Sequence, residues 1–343
     1  GLGAYPGSGD NWLGMLGMHG TYEANMAMHD CDLMLCIGAR FDDRITGKID
    51  EFSPKSKKVH VDIDATSINK NVEVDLSIIA DCGKFLNEAL KIMEKRNNKF
   101  QSFDLWWKQI DSWKKVNCLQ YKTNSDVIMP QYAIQRLYEL TKNKDTYITT
   151  EVGQHQMWAA QFYKFDKPNR WLTSGGLGTM GYGFPAANGV QVAKPDALVI
   201  DIAGDASILM NIQELSTAVQ YQLNTKIFIL NNSYMGMVRQ WQQLLHGNRI
   251  SESYSDSLPD FVKLAEAYGA TGIRAKKPAE LDDAILEMID TPGPVIFDCV
   301  VANLENCFPM IPSGKAHNDM LLGENVSDEE VANAIDDDGK IMV

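Results

Sequence analysis

Short apolar runs alternate with longer amphipathic stretches along this chain, and that alternation restricts its fold more than any other feature. Runs that predict buried strands lie at 32–37, 58–64, 77–80, 146–150, 170–173, 197–203, 226–230 and 295–301. Stretches that predict helices lie at 83–95, 128–142, 154–163, 184–192, 211–222, 258–268 and 279–289. Strands that alternate with helices indicate parallel sheets covered on both faces. The predicted fold class is therefore α/β, with two doubly wound parallel-sheet domains.

The predicted organisation has four parts. A first, partial domain covers 1–95, a linker covers 96–125, a second domain covers 126–320, and an acidic tail covers 321–343. The linker carries apolar side chains at helical spacing, namely Phe103, Trp106, Trp107, Ile110, Trp113 and Val116. We interpret this stripe as a helix docked on the body of the protein rather than as a binding face. In the tail, Ser327 and Glu330 have the spacing of a capping box.

Composition excludes several classes of protein. With 343 residues, 45% of them hydrophobic and 22% charged, the chain resembles an ordinary globular protein. No apolar run is long enough for a membrane span. The formal charge of −13 argues against a nucleic-acid surface, which needs clustered Lys and Arg. The six cysteines form no Cys-x-x-Cys pair, so we expect buried free thiols, a reducing compartment and a cytoplasmic location.

Two predicted strands of the second domain end in polar residues. One ends in Gly204-Asp205-Ala206-Ser207 and the next ends in Asn231-Asn232-Ser233-Tyr234. Neighbouring parallel strands end at the same edge of a sheet, so Asp205 and Asn232 should face each other across a ligand-binding crevice. Their side-chain oxygens and the carbonyl of Tyr234 suit Mg²⁺. The alternative is that Asp205 only caps a helix and Asn232 only turns the chain.

A glycine cluster supports a competing interpretation. Gly176, Gly178 and Gly181 form a G-x-G-x-x-G motif between a predicted strand and a predicted helix, and Asp201 lies 20 residues further on. This arrangement is typical of a dinucleotide site and, taken alone, favours a nicotinamide dehydrogenase. The motif is short, and its glycines can equally serve a tight turn or close approach to another ligand.

Longer segments resemble one family. The stretch from Gly204-Asp205 to Asn231-Asn232 is similar to the thiamine-diphosphate motif, with Ala206 where that motif has glycine. The segments at 151–161, 175–187 and 231–242 resemble the catalytic subunit of acetohydroxyacid synthase, also called acetolactate synthase. Those at 15–20, 38–48 and 60–64 resemble its flavin-binding middle domain. The resemblance covers nearly the whole chain.

The resemblance implies a thiamine-diphosphate site in the second domain. Asp205, Asn232 and the Tyr234 carbonyl would hold Mg²⁺, and Gln154 and His155 would contact the diphosphate. Met180 would wedge the cofactor into its bent form, and Trp241, Met237 and Val238 would shape the acceptor pocket beside Arg44. The remaining cofactor-binding positions implied are Gly178, Thr179, Ala206 and Ser207.

The resemblance also implies a largely structural FAD in the first domain. The matching positions are Met15, Gly17, His19, Gly38, Arg40, Asp42, Arg44, Asp62, Ile63, Asp81 and Cys82. For Arg44, within Arg40-Phe-Asp-Asp-Arg44, a local salt bridge is the simpler interpretation.

The implied reaction is the synthesis of acetohydroxy acids. Pyruvate loses carbon dioxide, and its two-carbon unit is transferred to a second pyruvate, giving 2-acetolactate, or to 2-oxobutyrate, giving 2-aceto-2-hydroxybutyrate. Both products lead to branched-chain amino acids. A homodimer and a regulatory small subunit are the implied partners. Other thiamine-diphosphate enzymes, namely oxidases, decarboxylases and carboligases, are the nearest alternative, and a non-enzymatic binding module is the most remote.

The family's complete subunit also has an N-terminal domain, which binds the pyrimidine and carries the glutamate that protonates the cofactor. Nothing in this sequence corresponds to it, and residue 1 is a glycine. We therefore expect the chain to be a C-terminal fragment that is inactive by itself.

Overall fold

The computed structural model describes residues 1–96, 102–123 and 125–323. Two compact units are present. The larger consists of Gly1–Trp12 and Tyr121–Cys307, and the smaller consists of Leu13–Gln120 and the chain from Phe308 onward. The predicted helical turns in the tail at 327–338 lie outside the described residues.

The smaller unit has a three-stranded parallel sheet in the order β1 (Leu33–Ile37), β2 (Lys57–Asp62), β3 (Leu76–Ile79). Its helices are α1 (Tyr22–Asp30), α2 (Asp43–Thr46), α3 (Cys82–Arg96) and α4 (Asp104–Lys114). One face of the sheet packs on a core of Met28, Phe41, Phe52 and Val72.

The predicted α/β fold class with two parallel sheets is confirmed, but one face of the smaller sheet is largely exposed. The side chains of Leu33, Leu35 and Leu76 lie on the face opposite this core, and they are 60%, 50% and 53% exposed. Helix α3 buries none of its residues, although its apolar positions recur at helical spacing. Among the described residues, no second layer therefore covers this face.

The larger unit contains a six-stranded parallel sheet in the order β5-β4-β6-β7-β9-β8. Its strands are β4 (Thr146–Thr150), β5 (Trp171–Thr173), β6 (Leu198–Gly204), β7 (Thr225–Asn231), β8 (Thr271–Ala275) and β9 (Val295–Val300). The helices are α5 (Pro130–Thr141), α6 (Gln154–Phe162), α7 (Gly183–Ala193), α8 (Asp205–Ile208), α9 (Leu215–Gln220), α10 (Gly236–Leu244), α11 (Phe261–Tyr268) and α12 (Pro278–Asp290). Strands β4, β6 and β7 are neighbours at the centre, and all their residues except Leu198 and Asn231 are buried.

The sequence located most of these elements but not all. Helices α1, α2, α8 and α10 and strand β8 were not predicted. The predicted helix at 211–222 divides into a 3₁₀ turn, Ile212–Glu214, followed by α9. Strand β8 interrupts its apolar pattern with Gly272 and Arg274 because it is the edge strand of the sheet. The Arg274 guanidinium forms ion pairs with the carboxylates of Asp260 and Asp298, each with an N–O distance of 2.7 Å.

Helix α4 packs within its own unit. Ile110 and Trp113 are buried, and the Trp106 and Trp113 rings meet edge to face at 5.5 Å. The helix contacts α1, so the aromatic stripe of the linker forms a packing surface as predicted.

The two ends of the chain do not belong to the units that the sequence predicts. Gly1–Trp12 is part of the larger unit, and the chain from Phe308 onward is part of the smaller one. The Gly7 N–H donates to the carbonyl of Phe165 in the larger unit, whereas the Ile311 N–H donates to the carbonyl of Met18 in the smaller one. Hydrogen bonds between segments distant in sequence decide these memberships, and a pattern along the chain does not contain them.

All six cysteines are free, with Cys299 and Cys307 buried and the other four partly exposed. In the described part of the chain, no helix is long and apolar enough to cross a membrane.

Candidate functional site

Asp205 and Asn232 lie where β6 and β7 end, as the strand pattern predicts. The two strands pair in parallel with Gly204 opposite Leu230, which places the residues that follow at one edge of the sheet. Asp205 is 1% exposed, and its two oxygens accept the backbone N–H groups of Ala206 (2.7 Å) and Ser233 (2.6 Å). Burial raises the pKa of Asp205 to about 6. A nearby cation would favour the ionised carboxylate, so the group suits a metal ligand.

The amide of Asn232 completes this edge. Its Oδ1 accepts the Tyr234 N–H at 3.2 Å, and its Nδ2 donates to Oε1 of Gln154 at 3.3 Å. Ser233 adopts a positive φ of 58°, which turns the chain tightly between Asn232 and Tyr234. A carboxylate and an amide oxygen at one sheet edge are hard ligands of the kind that Mg²⁺ prefers. The donor set therefore fits a divalent cation.

A cleft that is open to solvent lies over this edge. Its walls come from four places: the start of α6, the loop before α7, the turn after β6, and the segment that leads into α10. The lining residues include Val152, His155, Trp158, Met180, Ala206, Ser207, Met235, Met237 and Val238.

His155 provides the second test of fit. It is 6% exposed, lines the cleft, and has no hydrogen-bond partner for Nε2. Burial lowers the pKa of His155 to about 3, so the imidazole is neutral at physiological pH. With one unpartnered ring nitrogen, beside the N-terminus of α6, the site suits an anionic group that brings its own hydrogen-bonding atoms.

Several predicted residues lie in or beside this cleft in other ways. Met180 lines it, but Gly178 and Thr179 are exposed and are not among its lining residues. The Ser207 hydroxyl donates to the carbonyl of Gly204 and accepts its N–H, so it caps the turn locally. Trp241 follows Val238 by one turn of α10 and does not line the cleft.

The amide of Gln154 is already engaged by protein groups. Its Nε2 donates to Oε1 of Gln240 and to the carbonyl of Glu305, both at 2.9 Å. A direct contact from Gln154 to a diphosphate stays a prediction, and its backbone N–H is the group best placed to make one.

The sequence did not single out Glu151, although it follows directly on the buried strand β4. Its carboxylate accepts the backbone N–H groups of Gly181 and Phe184 and so anchors the end of the glycine cluster. Burial raises the pKa of Glu151.

Asp201, the acidic residue of the nicotinamide interpretation, cannot serve a ribose. It is fully buried within β6, and its Oδ1 accepts the Thr149 hydroxyl at 2.9 Å. A ribose contact needs a carboxylate at the end of a strand. The position of Asp201 argues against a dinucleotide at the glycine cluster.

In the smaller unit, predicted positions lie at or just after the carboxyl ends of all three strands. Gly38 follows β1, Asp62 ends β2, and Asp81 with Cys82 follows β3. Gly38 has a φ of 67°, and a side chain added there would meet only the Cys82 sulfur, at 3.2 Å. Ile63 is 72% exposed. This open edge with a bare glycine fits a nucleotide ligand.

The remaining predicted flavin positions form a loop and an arginine-rich turn. Buried Asn25 clamps Gly17 by hydrogen bonds to its N–H and its carbonyl, both 2.9 Å, and Met15 accepts the Thr21 N–H. His19 Nδ1 lies 3.0 Å from the Pro309 carbonyl. Arg40 pairs with Asp42 at 3.4 Å, and Arg44 pairs with Asp43 at 3.5 Å. The local salt bridge expected as the simpler interpretation of Arg44 is thus present, and its exposed partners make it weak.

Two family models match this chain. Residues 1–89 match the thiamine pyrophosphate enzyme central domain, and residues 151–299 match the thiamine pyrophosphate enzyme C-terminal TPP binding domain. The two parallel-sheet units and the oxygen ligands where β6 and β7 end agree with these matches. The chain belongs to the thiamine pyrophosphate enzyme family. The cofactors that this membership and its relatives imply are thiamine diphosphate, Mg²⁺ and FAD.

Within that family, the chain is similar to acetolactate synthase large subunits. It is 48% identical over 326 residues to the acetolactate synthase large subunit of Haemophilus influenzae and 47% identical over 329 residues to the isozyme 3 large subunit of Escherichia coli. It is 46% identical over 329 residues to acetolactate synthase 1, chloroplastic, of Nicotiana tabacum. These alignments cover 94% of this chain but 57%, 57% and 49% of the relatives, so the chain spans about half their length.

Proposed function

We propose that this chain is the cofactor-binding part of an acetolactate synthase. The reaction joins the two-carbon unit left when pyruvate loses carbon dioxide to a second 2-oxo acid, either pyruvate or 2-oxobutyrate. The observation that carries the proposal is the position of Asp205 and Asn232 at the edge of a cleft that His155 also lines, with its Nε2 buried and without a hydrogen-bond partner. The names of the similar proteins support this reaction over those of other thiamine-diphosphate enzymes.

The larger unit would hold the diphosphate end of the cofactor. Asp205, Asn232 Oδ1 and the Tyr234 carbonyl would bind Mg²⁺, with diphosphate and water oxygens filling the remaining positions. Backbone N–H groups at the start of α6 and of the segment before α10 would receive the diphosphate beside His155. When bound, thiamine diphosphate supplies the electron sink that lets a 2-oxo acid lose carbon dioxide.

The protein's own residues would position the reactants and exclude water. Met180, Met237 and Val238 place apolar atoms around the cleft, which lowers the local dielectric and strengthens the hydrogen bonds inside it. Trp241, one turn beyond Val238, would add a flat wall for the second 2-oxo acid. In the smaller unit, Arg44 would serve as a carboxylate-binding residue through its planar guanidinium. The positions that follow β1, β2 and β3 would hold FAD in the smaller unit.

The assembly and its location belong to the same proposal. A second copy of the chain and a regulatory small subunit are the expected partners. The name "large subunit" that two relatives carry supports a smaller companion subunit. A cytoplasmic location agrees with six free thiols.

Thiamine-diphosphate binding to the purified chain tests the proposal. Trp158 is buried at the cleft, so we expect its fluorescence to change saturably with thiamine diphosphate in the presence of Mg²⁺ and not in the presence of EDTA. Asp205→Ala should weaken binding at least 10-fold, because it removes the one charged ligand.

Asp196→Ala is the matched control. Asp196 is exposed in the loop before β6. Its replacement by alanine removes the same charge outside the cleft and should leave binding of thiamine diphosphate unchanged. Binding that does not depend on Mg²⁺, or that Asp205→Ala leaves intact, would refute the assigned site.

A further inference from the structure

Three buried amide side chains form a row that ends at the predicted cation site. Gln240, Gln154 and Asn232 are 0%, 3% and 6% exposed. They are joined in that order by hydrogen bonds, from the segment Glu305–Cys307 to the end of β7. An amide group can turn its oxygen and its NH₂ either way, so what fixes the direction of each one matters.

The direction of Gln240 is fixed by the main chain. Its Oε1 accepts the Cys307 N–H at 2.7 Å, and its Nε2 donates to the Cys307 carbonyl at 3.2 Å. A backbone N–H can only donate and a carbonyl can only accept. Turning this amide over would set donor against donor and acceptor against acceptor inside the protein, where unmade hydrogen bonds are costly.

Two hydrogen-bond acceptors fix the orientation of the Gln154 side-chain amide. Its NH₂ group donates to Oε1 of Gln240 and to the carbonyl of Glu305, both at 2.9 Å. Its own Oε1 must therefore point the other way, toward Asn232. Gly236 makes room for this arrangement, because a side chain there would come within 2.0 Å of that oxygen.

The orientation of Gln154 in turn fixes the orientation of the Asn232 amide. Its Nδ2 donates to Oε1 of Gln154 at 3.3 Å, and its Oδ1, which also accepts the Tyr234 N–H, is left on the other side. Only the oxygen can bind a cation, and an NH₂ group in its place would repel one.

We propose that Gln154, held by Gln240 and the Glu305 carbonyl, is a positioning residue that presents the oxygen of Asn232 to the divalent cation. The inference rests on the proposed function, because it assumes that Asn232 is a cation ligand. It assigns the Gln154 side chain to the cation rather than to the diphosphate.

A double-mutant cycle on Mn²⁺ binding tests this role. Free Mn²⁺ is measured by electron paramagnetic resonance while the chain is titrated in the presence of thiamine diphosphate. Gln154→Met removes the acceptor that orients Asn232, and we expect Mn²⁺ to bind about 3- to 10-fold more weakly, the usual worth of one hydrogen bond. In the N232D background the same change should have no such effect, because a carboxylate presents an oxygen whichever way it turns.

The outcomes separate the possible roles of Gln154. An equal loss in both backgrounds would mean that Gln154 touches the diphosphate or only supports the fold, and it would overturn the inference. No loss in either background would also overturn it. If the wild-type chain binds no Mn²⁺, the proposed function fails together with the inference.

Two further variants guard against trivial effects. Gln156→Met removes a buried amide from the same helix, where it donates to Thr173 at 2.7 Å, and should leave Mn²⁺ affinity unchanged. If Gln154→Met does not fold, Gln240→Met and Gln240→Glu replace it. Glutamate keeps the oxygen that receives the Gln154 NH₂ and methionine does not, so the methionine variant should bind Mn²⁺ more weakly. Equal affinities would contradict the proposal.

Discussion

Two buried carboxylates lie together beneath the glycine cluster, and their environments differ. Glu151 accepts backbone N–H groups from the loop at Gly181 and Phe184. Asp201 has one oxygen on the Thr149 hydroxyl and no partner for Oδ2. Burial, and then the charge of Glu151, raise the pKa of Asp201 well above its usual value. Asp201 is therefore the member of the pair that holds a proton more readily.

This asymmetry makes stability depend on pH. The folded chain retains a proton that the unfolded chain releases above about pH 4, so stability falls as the pH rises through the titration of the buried pair. Asp201→Asn cannot ionise, and its NH₂ can donate to Glu151. We expect it to be more stable than the wild type by about 1–3 kcal/mol above neutral pH, with a smaller difference at pH 5.

Urea unfolding at pH 5, 7 and 8.5 measures this difference, with Asp196→Asn as an exposed control that should change little. A variant no more stable than the wild type at pH 8.5 would show that the pair is not strained at that pH.

Helix α7 shows how closely its start approaches the sheet. A side chain at Gly183 would lie 2.3 Å from Oδ1 of Asp201 and 2.5 Å from the Glu151 nitrogen. Gly189, on the exposed side of the same helix, would meet nothing within 4 Å. The two glycines therefore have opposite roles, although the sequence alone does not distinguish them.

Alanine substitution at each glycine makes the contrast measurable. Gly183→Ala should destabilise the chain by about 2–3 kcal/mol, because backbone atoms of the sheet must move to admit the methyl group. Gly189→Ala should stabilise it by up to about 1 kcal/mol through helix propensity. Thermal or urea unfolding of both variants measures the two changes in stability. A small loss of stability for Gly183→Ala would contradict the close packing of α7 against the sheet.

At the scale of elements, predictability follows the strength of the local pattern. Strands β6 and β7 are mostly apolar runs, and the sequence located them within a residue or two. Helix α10 was missed, and two of its polar side chains, Arg239 and Gln240, are buried. Arg239 donates to Gln243 and Asn306, and Gln240 accepts the Cys307 N–H. Such compensation is invisible to periodicity.

Across the whole molecule, the smaller sheet is unusual because a parallel sheet exposes one apolar face. Leu33, Leu35 and Leu76 stand on it, whereas buried parallel sheets are normally covered on both sides. An exposed apolar surface of this kind binds hydrophobic dyes and favours association.

Replacing Leu33 and Leu35 together with lysine should reduce the fluorescence of a bound anilinonaphthalene dye several-fold and lower the melting temperature by only a few degrees. Val61→Lys, at a fully buried position of the adjacent strand, should unfold the smaller unit instead. Unchanged dye binding by the Leu33/Leu35 variant would show that the exposed face is not the dye's site.

The sequence by itself determined the two α/β sheets and the meeting of Asp205 with Asn232, because parallel strands that follow one another must end at one edge. It also carried the family resemblance, since those motifs are contiguous. Only the tertiary structure revealed Glu151 beneath the glycine cluster, the burial of Asp201, and the amide row from Cys307 to Asn232. These depend on which distant groups satisfy each buried polar atom, and hydrogen bonds across 30 to 151 residues leave no local pattern to read.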